Sequence, residues 1–569
     1  MRRFLILPAL VAACTDPSSA DDTGASSTIV LDGERLWLTS PDDDAFVAVD
    51  RESLEERARI PVRGEPTHVA VFGDGFAVTL ARSNSLAFVT EGAAPRYVPI
   101  DCDGSHGIVA AGDALIVSCP ANDRVLRVDA SGVLETHVIA GGPASLAYAD
   151  DTLFVAARRT GVLHVGVGAR RNFDAEWRAQ PLEEEAGFAA SQFAALAATG
   201  AGGVVGVYQR VDRDSDRARP PASGGYGSVV DGQPRIEPRV LSRCGGRYAR
   251  FDGGARVFSG PSAIASSAEH LWVVNQYTGN VARFRCRSGG VPSPSHATIA
   301  NVESYRVGRG ARGIALAENG NAAWVDVGFD HAVARIDVGG AREARSQTRP
   351  LGETSMSDAA LRGRAIFHDA EDTHLTPSGV VTCATCHPGG GDDNLVWFLH
   401  ARGVARKLRR TPPAWGARAP FAPYHWDGEF GDADTLTRST IVGLLEGDGL
   451  LIDYSALSAY MAELPLPYRR PSEEPAGAQA FTDAGCAECH PGGGSDGVLH
   501  PADPSADPDG ALTFVNTPPL FGVGTRAPYL HDGRAESLDA LLFGRAPHGD
   551  GTALSAEARD ALVAYLNAL

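Results

Sequence analysis

Through the first 340 residues, short apolar runs alternate with turns rich in Gly, Asp and Asn. Gly64, Gly104, Gly142, Gly260 and Gly310 each open a unit of the same grammar. A glycine-led turn precedes a short apolar strand and a second turn. A strongly β-forming run follows, such as LIVS at 115–118, LFVAA at 153–157 or LWVVN at 271–275. Runs of that length, rich in β-branched and bulky side chains, favour buried strands. A polar turn then leads to an alternating strand such as RVLRVD at 124–129 or AVARID at 332–337. The first three units begin about forty residues apart. Less regular copies start near Ser27 and Gly187, the latter with an insertion around DRDSDRARPPASGG. Beyond residue 355 the period changes. LRGRAIF, SALSAYMAEL and EARDALVAYLNAL space leucines and aromatics as one face of a helix requires.

A repeat near forty residues with four strand signals is the size of one propeller blade. We count about seven blades over 27–342, with six or eight compatible, and the pattern resembles exported propellers of the YVTN type. Strand spacing alone also admits an array of β-sandwiches. Residues 343–356 read as a linker, and two further domains follow at 357–470 and 471–569.

At 569 residues the chain exceeds one ordinary domain. Its formal net charge of −19 argues against nucleic acid, whose phosphates need clustered cations. The N-terminus reads MRRFLILPALVAAC: a charged start, an apolar stretch too short to span a bilayer, then Cys14. This is similar to a bacterial lipoprotein signal over 1–13, with Cys14 as the lipidated first mature residue and 14–26 as a tether. An ordinary signal peptide cut near Ala13 is the alternative. The expected location is a bacterial membrane, the outer one, facing the periplasm or exterior, held only by lipid. In an oxidising compartment Cys102, Cys119, Cys244 and Cys286 suit disulfides, which we pair as Cys102–Cys119 and Cys244–Cys286.

Cys383 opens CATCHPGGG and Cys486 opens CAECHPGGG. CxxCH is the c-type haem attachment signal: two thiols bond the haem's vinyl groups, and the adjacent His ligates iron. Cys383, Cys386 and His387 would hold one haem; Cys486, Cys489 and His490 would hold another. A zinc site could be drawn from both repeats. A His directly after each second Cys, together with export, favours haem. The fold class implied is multidomain, an all-β seven-bladed propeller followed by two tandem mainly-α cytochrome c domains. His68, His106, His137, His164, His270 and His331 are scattered among the blades and read as hydrogen-bonding residues.

The match between the two units extends further. RRTPPAWGARAPFAPYHWDGEF follows the first site and VNTPPLFGVGTRAPYLHDGRAE the second, with TPP, APY and DG in register. These motifs resemble the dihaem cytochrome c peroxidase family over about 355–569. The resemblance implies a peroxidatic haem on His387 and an electron-transfer haem on His490. It implies an inter-haem Trp426, a distal carboxylate Glu446 with His400 and His425 as rivals, and His531 at the second haem edge. His548 is the favoured distal ligand of the second iron, with Met461 read as core packing. Arg409 and Arg410 would pair with haem propionates, and a calcium ion between the haems is compatible. The expected function is a peroxidase that reduces hydrogen peroxide or uses it to oxidise a partner, with the propeller as docking scaffold. Its partner would be a small cytochrome or cupredoxin donor, or a protein substrate. The alternative is a non-catalytic dihaem electron-transfer lipoprotein.

Overall fold

The computed structural model describes residues 23–569 except 169–172, 174–175, 183–187, 200–202, 213–228, 231–232, 235, 243–247, 251–257, 268, 286–301, 339–344, 353, 400–406, 418, 469–474, 503–511, 545–547 and 550–552. Cys14, His400 and the Cys244–Cys286 pair therefore lie outside the described residues. Seven antiparallel sheets follow in order, covering 29–61, 66–99, 108–138, 143–181, 188–250, 261–306 and 311–350. Each is built on four strands in up-and-down order, the fifth with a two-stranded hairpin at 229–234 inserted and the fourth with one added strand, so the first part is a seven-bladed β-propeller. Its core lies between blades. Trp37 and Phe46 of blade 1 meet Phe76 of blade 2 with ring centroids 4.8 and 5.3 Å apart. Such aromatic contacts add to the burial of each sheet face. Cys102 and Cys119 are bonded to each other.

Two boundaries differ from the sequence reading. Arg345–Pro350 is the outer strand of blade 7, paired with Ala332–Asp337, and not linker. Its sequence RSQTRP carries no apolar alternation, because an outermost strand has little to bury. The supposed tether also ends early. Thr23–Ala25 pairs with the inner strand of blade 4, Thr23 opposite Ala149 and Ala25 opposite Ala147. Ser27 then bridges Val69 of blade 2, and Thr28 Oγ1 donates to Asp326 Oδ2 of blade 7 at 2.6 Å. Blades 1 and 7 are each cut from one continuous segment, so no shared sheet closes the ring. The threaded segment 23–28 ties together blades 4, 2 and 7 from inside. Arg312 adds to the closure, reaching from Asp326 at 2.7 Å to Thr39 O of blade 1.

The helical region is two copies of one design. In the first, helix α1 (Asp358–Phe367) leads to α2 (Cys383–Cys386), α3 (Ala433–Gly443) and α4 (Tyr454–Glu463). In the second, α5 (Pro475–Asp483) leads to α6 (Cys486–Cys489), α7 (Leu538–Phe543) and α8 (Ala556–Ala568). Ser357, Asp432, Asp453, Ser537 and Ser555 cap helix starts with side-chain oxygens. A glycine at each first–last helix crossing lets the backbones touch. A Cβ on Gly363 would lie 2.0 Å from Ala456 O, and one on Gly477 would lie 2.6 Å from Ala561 O. Among the described residues no helix is long and apolar enough to cross a membrane.

The first helical unit sits on one face of the propeller. Tyr277 donates its hydroxyl to Ala384 O at 2.9 Å, Gln192 donates to Thr385 O, and Ser259 Oγ to Val380 O at 2.5 Å. Arg364, 4 % exposed, binds Asp42 Oδ2 at 2.6 Å. Burial pushes the Asp42 carboxyl up, but the His331 hydrogen bond and the Arg364 guanidinium outweigh it and hold it well below the usual carboxylate range. A depressed carboxyl stabilises above its unfolded pKa and loses that stabilisation as pH falls through the folded one. The stability gap between wild type and Asp42→Asn should therefore be full at pH 7 and shrink below about pH 4. Urea midpoints measured across that range check it; a gap independent of pH would contradict it.

Candidate functional site

Helix α2 presents two free thiols, Cys383 and Cys386, to a cavity of about 290 Å³. Burial pushes the Cys383 thiol up to about 12 and Cys386 well above its ordinary value. His387 follows on the same wall. Its Nδ1 donates to Gly391 O at 3.1 Å, which leaves Nε2 as the lone-pair nitrogen. Burial lowers its basicity. The cavity is closed by Phe367 of α1, by Leu436, Thr440 and Leu444 along α3 and its end, and by Met461 of α4.

The second thiol pair, Cys486 and Cys489, is also free. His490 Nδ1 donates to Gly494 O at 3.3 Å, repeating the first tautomer. Burial, with His548 nearby, pushes His490 down to about 4. The rings of His490 and His548 lie 6.3 Å apart between centroids. Metal–imidazole bonds are about 2 Å, so two rings on opposite sides of one ion sit about 6 Å apart.

Between the sites the two units hold each other. Arg410, 2 % exposed, binds Asp392 Oδ1 at 3.0 Å, and Arg526 Nε lies 3.3 Å from Asp392 Oδ2. Beside them Asp393 is pushed up to about 7 by burial. One carboxylate thus faces two buried guanidinium groups, and Arg410 Nε has no hydrogen-bond partner among the described residues. The surplus positive charge suits an acidic group of a bound molecule. Arg410 N donates to His531 O at 2.6 Å, while Trp426 Nε1 donates to Arg410 O at 2.8 Å. The Trp426 and His531 rings lie 6.3 Å apart. The Asn394 amide Nδ2 donates to Thr525 O at 2.8 Å and to Ala527 O at 3.0 Å, a further tie between the two units.

The expected residues divide clearly. Cys383, Cys386, His387, Arg409, Arg410, His425 and Trp426 all line the first cavity. His531 and Trp426 meet between the units, and His548 stands beside His490. Glu446 lies beyond the end of α3 with φ +61 and is not on the cavity wall. Met461 is in the core of the first unit, as its helix position implies. Sequence reasoning missed Asp392, Arg526, Asn394 and Glu429. After each PGGG only the second position matches, Asp393 and Asp496, so spacing did not single out Asp392 or Asn394. Arg526 sits in TRAPY, inside the second unit's matched motif.

No family model matches the chain. The methylamine utilization protein MauG of Methylorubrum extorquens is 26% identical over 268 residues, 35% of this chain and 72% of that relative. Hydrazine synthase of Kuenenia stuttgartiensis shares 15% identity over 55% of this chain and 95% of that one, with a TM-score of 0.44. A streptogramin B lyase shares 12% identity over 55% of this chain and 97% of that one, with a TM-score of 0.36.

Proposed function

We propose that this chain is an exported dihaem c-type cytochrome that reduces hydrogen peroxide, or uses it to oxidise a partner. The observation that carries the reading is the asymmetry of two otherwise matched sites. His387 borders a cavity of about 290 Å³, whereas His490 faces a second imidazole at 6.3 Å. Two tandem cytochrome c units would place Cys383, Cys386 and His387 on one haem, and Cys486, Cys489 and His490 on the other. Bound there, the haems supply reversible one-electron chemistry and, at the open site, peroxide activation. The chain's own residues then do the rest. His387 and His490 keep Nε2 free through their Nδ1 bonds to backbone. Arg410 and Arg526 receive propionate charge beside Asp392, with Arg409 on the same wall. Trp426 and His531 fill the gap between the sites and offer an aromatic route for an electron. Whether a calcium ion joins the haems is decided by metal analysis of chelator-free protein.

For location we propose a lipid anchor on Cys14. Thr23 enters the propeller at the Ala149 end of blade 4, opposite the face that carries the helical region. Nine peptide steps from Cys14 reach at most about 30 Å. The anchored molecule would then turn its haem sites away from the bilayer, toward a soluble donor or protein substrate. A Cys14→Ser protein that stays with membranes would count against the anchor.

The test is a reductive titration of the purified protein followed by peroxide, read by absorption. The expected result is one haem that reacts with peroxide and one that does not. His548→Ala should convert the second, unreactive haem to a high-spin spectrum. Two haems deaf to peroxide at every redox level would instead mean an electron carrier.

A further inference from the structure

The two units share their backbone so closely that positions where their side chains diverge can be read as specialisations. The sharpest divergence lies in one tight turn. In the first unit it runs Tyr424-His425-Trp426-Asp427-Gly428, and Tyr424 N donates to Phe430 O at 2.8 Å. In the second it runs Tyr529-Leu530-His531-Asp532-Gly533, and Tyr529 N donates to Ala535 O at 2.7 Å. His425 and Leu530 hold the same left-handed backbone, φ +65 and +69. Such a conformation strains any side chain with a Cβ, so the turn itself does not ask for histidine there. Four residues on, the first unit has Glu429 and the second has Arg534. Arg534 turns back to Asp532 at 2.9 Å. Glu429 Oε1 instead accepts the Nδ1 proton of His425 at 2.8 Å. Only the first unit pairs an imidazole with a carboxylate at these positions, and both groups line its cavity.

We propose that His425 is the proton-transfer residue of the first site and that Glu429 is its positioning residue. This rests on the peroxidase reading above. The Nδ1–H···Oε1 bond fixes the tautomer and leaves Nε2 as the acceptor. Around His425 stand Glu429, Asp427 within the same small cluster, the Phe430 ring at 5.0 Å and, across the cavity, His387. Hydrogen peroxide breaks its O–O bond easily only if the departing oxygen leaves as water. Nε2 takes the proton from the inner oxygen and passes it to the outer one, and a water departs. The full balance is one peroxide, two electrons from the donor protein and two solvent protons, giving two waters. Glu446 is off the cavity wall and does not compete for this role.

The experiment compares two oxidants on the full-length haem-loaded protein by stopped flow. Hydrogen peroxide needs its leaving oxygen protonated; 3-chloroperoxybenzoic acid loses a stable carboxylate and does not. His425→Gln should slow the reaction with hydrogen peroxide about 100-fold, the usual size of such catalysis. It should leave the peracid rate within a few fold. Glu429→Gln should show the same selective loss at smaller size, and Glu429→Asp should recover it. The ferric absorption spectrum and carbon monoxide binding after reduction should not change in any variant. Equal losses with both oxidants, or an unchanged His425→Gln, would overturn the proposal. If His425→Gln fails to fold, Glu429→Gln decides by the same ratio. A wild type inert to both oxidants would overturn the peroxidase reading and this proposal together.

Discussion

Replacing Cys383 and Cys386 together by Ala should halve the covalent haem, from two per chain to one, in denatured protein. Peroxide consumption should fall to background. Both consequences follow from where the thiols sit. They open the only CxxCH segment whose following histidine borders the large cavity. Without thioether bonds, haem in that cavity would be held by His387 and packing alone, and would wash out on denaturation. The matched pair Cys486→Ala and Cys489→Ala should also leave one haem per chain, but with the opposite phenotype. It should keep the peroxide-reactive spectrum and lose rapid re-reduction. Mass spectrometry of the denatured chain counts the haems, and stopped-flow absorption separates the two phenotypes. Equal behaviour of the two pairs would refute the division of labour.

Gly363→Val should cost the first unit its fold, and Gly477→Val the second. At Gly363 a Cβ would meet the Ala456 carbonyl at 2.0 Å and Tyr460 Cβ at 2.7 Å. At Gly477 it would meet Ala561 O at 2.6 Å and Tyr565 Cβ at 2.6 Å. The obstacles are backbone and Cβ atoms, which cannot swing aside as a flexible side-chain end can. The helices must part, and overpacking of this kind costs about 3 kcal/mol or more once backbone moves. Gly363→Val should therefore lower the thermal midpoint, loosen the first unit on the propeller and deplete the first haem. Gly477→Val should spare both the first haem and the docking. Thermal melts followed by circular dichroism, with haem counts, check the pair; two indifferent variants would mean the crossings are not under strain.

The seven blades were legible because each carries its own β-forming run between glycine turns. The outer strand of blade 7 was not, since an all-polar strand leaves no alternation to find. Nor was the thread at 23–28, whose small residues, Thr-Gly-Ala-Ser-Ser-Thr, are chosen for a narrow lumen and look like tether. In the helical region the motifs TPP, APY and DG marked paired turns that share their backbone. Which carboxylate reaches the first cavity was beyond sequence spacing. Glu446 and Glu429 are both within reach of Trp426 along the chain, and of the two Glu429 lines the cavity. The docking of the first unit on the propeller was likewise unreadable. It rests on single residues, Asp42, Gln192 and Tyr277, that meet partners a hundred or more positions away.

On the proposed reading two matched haem sites differ in access, one open and one closed by His548. Low-temperature EPR of the purified full chain tests it most directly. The expected result is one high-spin ferric signal, altered by peroxide, beside one low-spin signal that peroxide leaves unchanged. Two low-spin signals unmoved by peroxide, or a colourless protein carrying zinc, would contradict it.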